Sequence, residues 1–421
     1  MSAHESIIDH LPAEGEKVDV TKLQKFLKVL SGVGFVGLAV SVILFFKNPE
    51  VYSYSWLFGF YFFFTIACGG LFWTLLHNAT NSGWGVAVRR IFEHLASMLP
   101  WMFLFLLPIM LIPDVRESLY EWMKLLTKYG GETSAEMKAT HSLLYHKHGY
   151  LNMPFFYFRI LFYFIALAGG AYFVRKYSIK QDSSGDVRPT LSARRASCGF
   201  LPLFAVSVTF CGIDFLMALD YTWFSTMWGV QLFAGSALSG MAVIILTVSL
   251  VKNLGYLKIV NEEHYHLMGK LMKTFVIFWG YISFSQFFLI WYADITEETK
   301  FYILRNTDGW NTLSYFLVFG HFVVPFVFLL RQKAKKDLRQ VCLAACWILL
   351  MHFLDLYWII IPERGPSIAN ELTVSGGFLY DLLAFITVGS LIAYVYLRTI
   401  GKHSIYPCRD PRLVESAKVL N

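Results

Sequence analysis

Ten runs of roughly twenty apolar residues divide the 421-residue chain, and nothing else in it restricts the fold as strongly. They cover 27–46, 54–76, 86–112, 154–174, 199–219, 228–251, 269–292, 312–330, 340–361 and 376–397. In hydrocarbon every backbone N–H and C=O must be satisfied inside the protein, so runs of this length and number imply spanning helices. The expected fold is therefore all-α, a polytopic membrane protein with about ten transmembrane helices. Composition supports this, since 15% of residues are charged against about 25% in a soluble domain. The net charge of +7 does not call for a nucleic-acid partner. Most Lys and Arg residues lie in the two tails and in alternate loops, the asymmetry that places both termini in the cytoplasm.

A weak internal repeat suggests how the helices group. FLMALDYTW (215–223) aligns with LMHFLDLYW (350–358), setting Asp220 against Asp355 and Trp223 against Trp358. YFRILFYF (157–164) aligns with YFLVFGHF (315–322), and both pairs lie four helices apart. The expected organisation is two duplicated four-helix bundles, 54–219 and 220–361. They are flanked by a helix and outer loop (27–53) and by a tenth helix (362–400). Residues 1–26 and 401–421 read as cytoplasmic tails, and 1–25 lack the basic, apolar and small-residue pattern of a secretory signal. The outer loop 113–153 contains a surface-helix pattern, DVRESLYEWMKLLTKY, ended by Gly-Gly. The basic stretch 175–198 reads as a solvated inner loop.

Six cysteines are present, none in an outer loop, and no CxxC or CxxCH occurs. No disulfide framework, iron–sulphur ligation or covalently held c-type haem is expected in this chain. The chemistry must then reside in ionisable residues inside the spans, each costing roughly 2.5–3.5 kcal/mol on insertion scales. On the outer side these are Asp214, His321, His352 and Asp355, with Asp220 and Asp381 nearer the helix ends and Arg159 near the outer end of the fourth helix. His352 and Asp355 are three residues apart and share a helix face. On the inner side, Arg89/Glu93 and Arg90/His94 are i,i+4 pairs, and His266, Lys270 and Lys273 form one stripe.

Four uses of these groups remain open. Basic side chains can snorkel to the interface while His and Asp pair across helices for packing. His321 and His352, at similar depth, would suit one b-type haem. A His or carboxylate beside aromatic walls would suit quinol oxidation, which needs a proton acceptor. Inner and outer sets together would also suit two half-channels for protons: Glu93, His94, Lys270 and Lys273 inside, Asp214, His321, His352 and Asp355 outside.

The runs GKLMKTFVIFWGYISFSQFFLIWYADITEET (269–299), KHGYLNMPFFYFRILFYF (147–164), FLDLYWIIIP (353–362) and CRDPRLVES (408–416) add a further pointer. Together they resemble the NrfD/polysulphide-reductase-type membrane subunits of bacterial alternative complex III, and among these the ActF-type subunits. The resemblance implies ten helices with two four-helix bundles, in a respiratory complex of the bacterial inner membrane that oxidises quinol, often menaquinol. It places iron–sulphur clusters and c-type haems in partner subunits, and the quinol site beside the iron–sulphur protein in a sibling NrfD-like subunit. Electrons would pass through multihaem cytochromes c toward a cytochrome or a haem-copper oxidase. The role implied for this chain is proton conduction, with Asp355, Lys270 and Lys273 at matching positions and no cofactor of its own. The alternatives are direct quinone binding and a passive scaffold for a partner oxidase.

Overall fold

A computed structural model describes residues 15–129, 131, 135–365 and 377–419. Its described elements are all helical, and ten helices are long and apolar enough to cross a membrane. They are α1 (Gln24–Lys47), α2 (Pro49–Ala79), α3 (Val86–Leu111), α4 (Met153–Ser184), α5 (Arg188–Phe215), α6 (Trp228–Asn253), α7 (Glu262–Ala293), α8 (Gly309–Leu330), α9 (Leu338–Ile360) and α10 (Phe378–Ile400). The fold is that of a polytopic membrane protein.

The helices close into two rings. In the first, α2 packs on α3, α3 on α4, α4 on α5 and α5 back on α2. The second runs α6, α7, α8, α9 and back to α6 in the same order. The rings meet mainly through α2 and α6, while α10 lies on α2 and α1 on α10. The four-residue run CGGL makes this seam possible. A Cβ on Gly69 would lie 2.0 Å from the Ser236 carbonyl oxygen, and one on Gly240 would lie 2.7 Å from the Gly69 Cα. Backbones touch there with no side chain between them, the small-residue contact that membrane helices favour. The neighbouring Gly70 does the same toward α3, where a Cβ would meet Leu95 at 2.7 Å. Gly69→Ala is expected to cost about 1–3 kcal/mol through overpacking, read as a lower thermal midpoint in detergent.

Two spans are interrupted by proline. α3 breaks at Ser97–Met98, because Pro100 has no N–H for the preceding turn and its ring clashes with it. α8 widens to a π-turn over Val318–Val323, just before Pro325, and the freed Gly320 carbonyl accepts from the Trp347 indole at 2.7 Å. His321 sits inside that π-turn.

The connecting segments differ from expectation in one place. Much of 175–198 is not a loop: α4 runs on to Ser184 and α5 begins at Arg188, with Gly185 at φ +65 closing α4. Apolarity ends at the bilayer boundary, but Lys, Arg, Gln and Ser carry a helix on into water. The expected surface helix of the outer loop exists as two pieces, Pro113–Leu119 and Glu121–Lys128, joined at an extended Tyr120. Gly130 lies outside the described residues. Both terminal segments lie on one face of the bundle, where the Ile405 N–H donates to the Glu16 carbonyl at 2.9 Å.

On the opposite face, Asp220 is held by Lys300 and by Thr222. Burial alone would raise this carboxyl, but the hydrogen bonds from Lys300 and Thr222 hold it below the usual carboxylate range. A carboxylate depressed in the fold adds stability above its unfolded value of 3.8 and loses it as pH falls through the lower folded value. Lys147, the other cation near it, stays charged in that window. The thermal midpoint should therefore drop more between about pH 4 and pH 2 in the parent than in Asp220→Asn, by under about 1 kcal/mol for this partly exposed pair.

Candidate functional site

The outer set of ionisable residues divides between the two rings. Asp214 on α5 belongs to the first ring and is locked. Arg159 on α4 donates Nε to Oδ2 and Nη2 to Oδ1, both at 2.8 Å, and the Tyr163 hydroxyl donates to Oδ2 at 2.7 Å. Arg159 also donates to the Tyr150 carbonyl at 2.7 Å and lies 3.8 Å from the centre of the Tyr150 ring. A carboxylate with both oxygens held this way is an architectural group. The structure keeps it apart from His321, His352 and Asp355.

Those three residues sit in the second ring, on α8 and α9. His352 and Asp355 share a face of α9 but do not hydrogen-bond to one another; they diverge. Asp355 accepts from the Trp279 indole N–H on α7 at 3.1 Å. His352 turns toward α2 and α6. Its Nε2 is 2.9 Å from the Thr65 hydroxyl, whose own proton points to the Phe62 carbonyl at 2.7 Å. The hydroxyl oxygen must then accept, which puts the imidazole proton on Nε2 and leaves Nδ1 a bare acceptor. That nitrogen has no partner among the described residues, and it faces Gly235, where a Cβ would approach to 3.4 Å. The His321 ring lies over Trp279 with centroids 3.9 Å apart and planes tilted by 31°, and both its nitrogens are buried without partners among the described residues. Trp279 is thus the hub between Asp355 and His321.

Asp355 and Trp279 also form part of the wall of a cavity of about 970 Å³ between α7 and α8. Most of its lining is aromatic or aliphatic, and Gln231, Asn311 and Arg305 add polar positions. Tyr281, Phe284, Tyr315 and Val318 line it and are exposed on the apolar outer surface, so it opens sideways toward lipid. Arg305 does not offer its charge to the cavity. Its guanidinium is taken up by the carbonyls of Phe301, Trp358 and Ile359 and by Glu363.

The inner set divides too. Glu93 and His94 lie fully buried on α3, with Glu93 3.4 Å from Arg89 Nε and 3.3 Å from Arg90 Nε. Arg90 reaches Asp182 on α4 at 2.8 Å, and Arg89 reaches Asp410 of the C-terminal segment at 3.0 Å. Arg175 on α4 donates to Ser97 in the α3 break at 2.8 Å. Lys270 and Lys273 are elsewhere, half-buried on α7 in the second ring beside Lys335. The ion partners of Glu93 among the described residues are arginines of its own helix, not ammonium groups of α7.

Sequence reasoning missed the partners more than the principals. Thr65 and Trp279 carry no signal inside apolar runs rich in Thr and Trp. Arg159 was visible as a lone charge, but its neighbour was not. A third network ties α10 to α2 and α9: Asp381 is held by Arg364, by the Ser55 hydroxyl at 2.5 Å and by the Tyr357 hydroxyl at 3.0 Å. No group of three or more His, Cys, Asp or Glu able to hold a metal occurs among the described residues.

Fold and site together define an all-helical polytopic membrane protein with buried ionisable clusters near both faces and a lipid-facing cavity. Comparison with models of known protein families and with curated proteins gives no match.

Proposed function

We propose that this chain is a proton-handling membrane subunit of a respiratory quinol-oxidising complex of the alternative complex III type, in the ActF-like position. The observation that carries it is Asp355, a buried carboxylate on the wall of the lipid-facing cavity, joined through the Trp279 indole to His321 and one helical turn from His352, both histidines having nitrogens unpartnered among the described residues. A proton relay needs groups that accept and release protons without strong fixed partners, and Asp355, His321 and His352 meet that need where Asp214 does not. Glu93 and His94 supply the relay near the face that carries the termini, which the charge asymmetry makes cytoplasmic. The motif resemblance supports the respiratory assignment. Iron–sulphur and c-type haem centres then belong to partner subunits, and menaquinol is the expected donor.

The cavity favours a second use of the same site. Its size, aromatic walls and lateral opening suit the ring and part of the chain of a quinol, with Asp355 as the proton acceptor. One experiment separates the two: Asp355→Asn in the assembled complex in sealed vesicles, with quinol oxidation and proton release measured together. Turnover that persists while vectorial protons fall supports the conduit. Turnover that collapses in an intact complex supports quinol binding. No change in either overturns both.

A further inference from the structure

The cluster under the terminal face has more buried polar atoms than its protein partners satisfy. Both nitrogens of His94, Nη1 of Arg90, the Ser178 hydroxyl and Oδ1 of Asp182 are buried without a hydrogen-bond partner among the described residues, and the Glu93 oxygens meet only the Nε atoms of Arg89 and Arg90, at 3.4 and 3.3 Å and without hydrogen-bond geometry. Buried polar groups left so in one place require an occupant, since each costs about 1–3 kcal/mol unsatisfied. Arg90 and Ser178 leave donors open while His94 and Asp182 leave acceptors open, so the occupant both donates and accepts, as water does.

Directly over this cluster lies the C-terminal segment. Asp410 reaches in to Arg89 and is itself gripped by Arg412 through Nε at 3.0 Å and Nη2 at 2.9 Å. Arg412 also donates to Asn81 at 2.7 Å, at the end of α2. Ser416, fully buried, donates to the Trp84 carbonyl at 2.6 Å and accepts from the Ala87 N–H at 3.1 Å. Arg409 donates to the Ser183 carbonyl at the end of α4 at 2.9 Å. The segment is short and held largely by polar contacts, with Leu413 and Ala417 its buried apolar side chains, so it can open as a local unit without unfolding the spanning helices.

We propose that the Glu93–His94 cluster is a water-filled chamber and that the segment Arg409–Ala417 is its removable roof. Arg412 is the latch, because it fixes Asp410 and reaches the α2 end at once.

The test is thiol access in the full chain. Ser178→Cys puts a near-isosteric thiol on the chamber wall, and Ser239→Cys, equally buried in α6 where the native hydroxyl donates to the Ser236 carbonyl, serves as the dry control. Vesicles are treated with methanethiosulfonate ethylammonium, and modification at each site is read by peptide mass. Ser178→Cys should be modified slowly, and about tenfold faster when Arg412→Ala is added, the factor that losing one charged hydrogen bond puts on a local opening equilibrium. Ser239→Cys should stay unmodified in both backgrounds. Asp410→Asn should accelerate modification in the same sense, so a folding defect peculiar to one variant does not decide the result. A Ser178→Cys thiol that remains unmodified in every background overturns the chamber, and equal rates with and without the latch overturn the roof. The assay reads access rather than proton movement, so its outcome is separate from that of the vesicle measurement.

Discussion

Arg159→Leu is expected to lose about 3–5 kcal/mol of folded stability, whereas Arg159→Leu combined with Asp214→Leu should recover most of it. The single change strands the Asp214 carboxylate among Tyr163, Tyr150 and the apolar walls of α4 and α5, with its bidentate partner gone. The double change removes the stranded charge as well and fills the space with hydrocarbon. Breaking such a pair is costly because a charge is left uncompensated, while replacing the whole pair is often neutral. Chemical or thermal unfolding in detergent, compared across the parent, both singles and the double, reads this directly. A double variant no more stable than either single would mean that Asp214 contributes something beyond the pair, and its place outside the proton path would have to be reconsidered.

The second large effect is on function. Asp355→Asn keeps shape and can still accept from the Trp279 indole, but it cannot take up a proton. Proton release per electron should fall at least about tenfold, since general acid–base groups typically contribute 10²–10⁴-fold to proton transfer. Asp355→Glu should retain a larger part of it, because the carboxyl is restored and the adjoining cavity can take the added methylene. The rescue distinguishes a proton-carrying role from a packing role: asparagine fits the space better than glutamate, so a packing role would rank the two variants in the opposite order.

These two expectations also show what was legible in the sequence. The ten spans could be read because hydrocarbon admits one local solution for a backbone of that length, and the two rings followed from the weak repeat. Asp355 and His352 could be read because an ionisable group in an apolar run is conspicuous. Their separation could not, since three residues along a helix still differ by enough rotation to face different neighbours. Asp214 and Arg159 were both visible, but which of two unrelated spans lie side by side is a tertiary fact. The continuation of α4 and α5 beyond the bilayer was hidden because the change of solvent ends apolarity without ending the helix. Lys270 and Lys273 matched Glu93 in depth alone, and depth does not place groups in the same ring.

The bare seam between α2 and α6 has a mechanical consequence. With Gly69 lying against Ser236 and Gly240 and no side chain to act as a bearing, the two rings cannot slide or rock past one another without prising backbone from backbone. The molecule is stiff about its middle, like two beams welded rather than hinged. On the proton-handling function proposed above, such a middle favours rotations of individual side chains and shifts of water over a stroke of one half against the other: a wire rather than a pump handle.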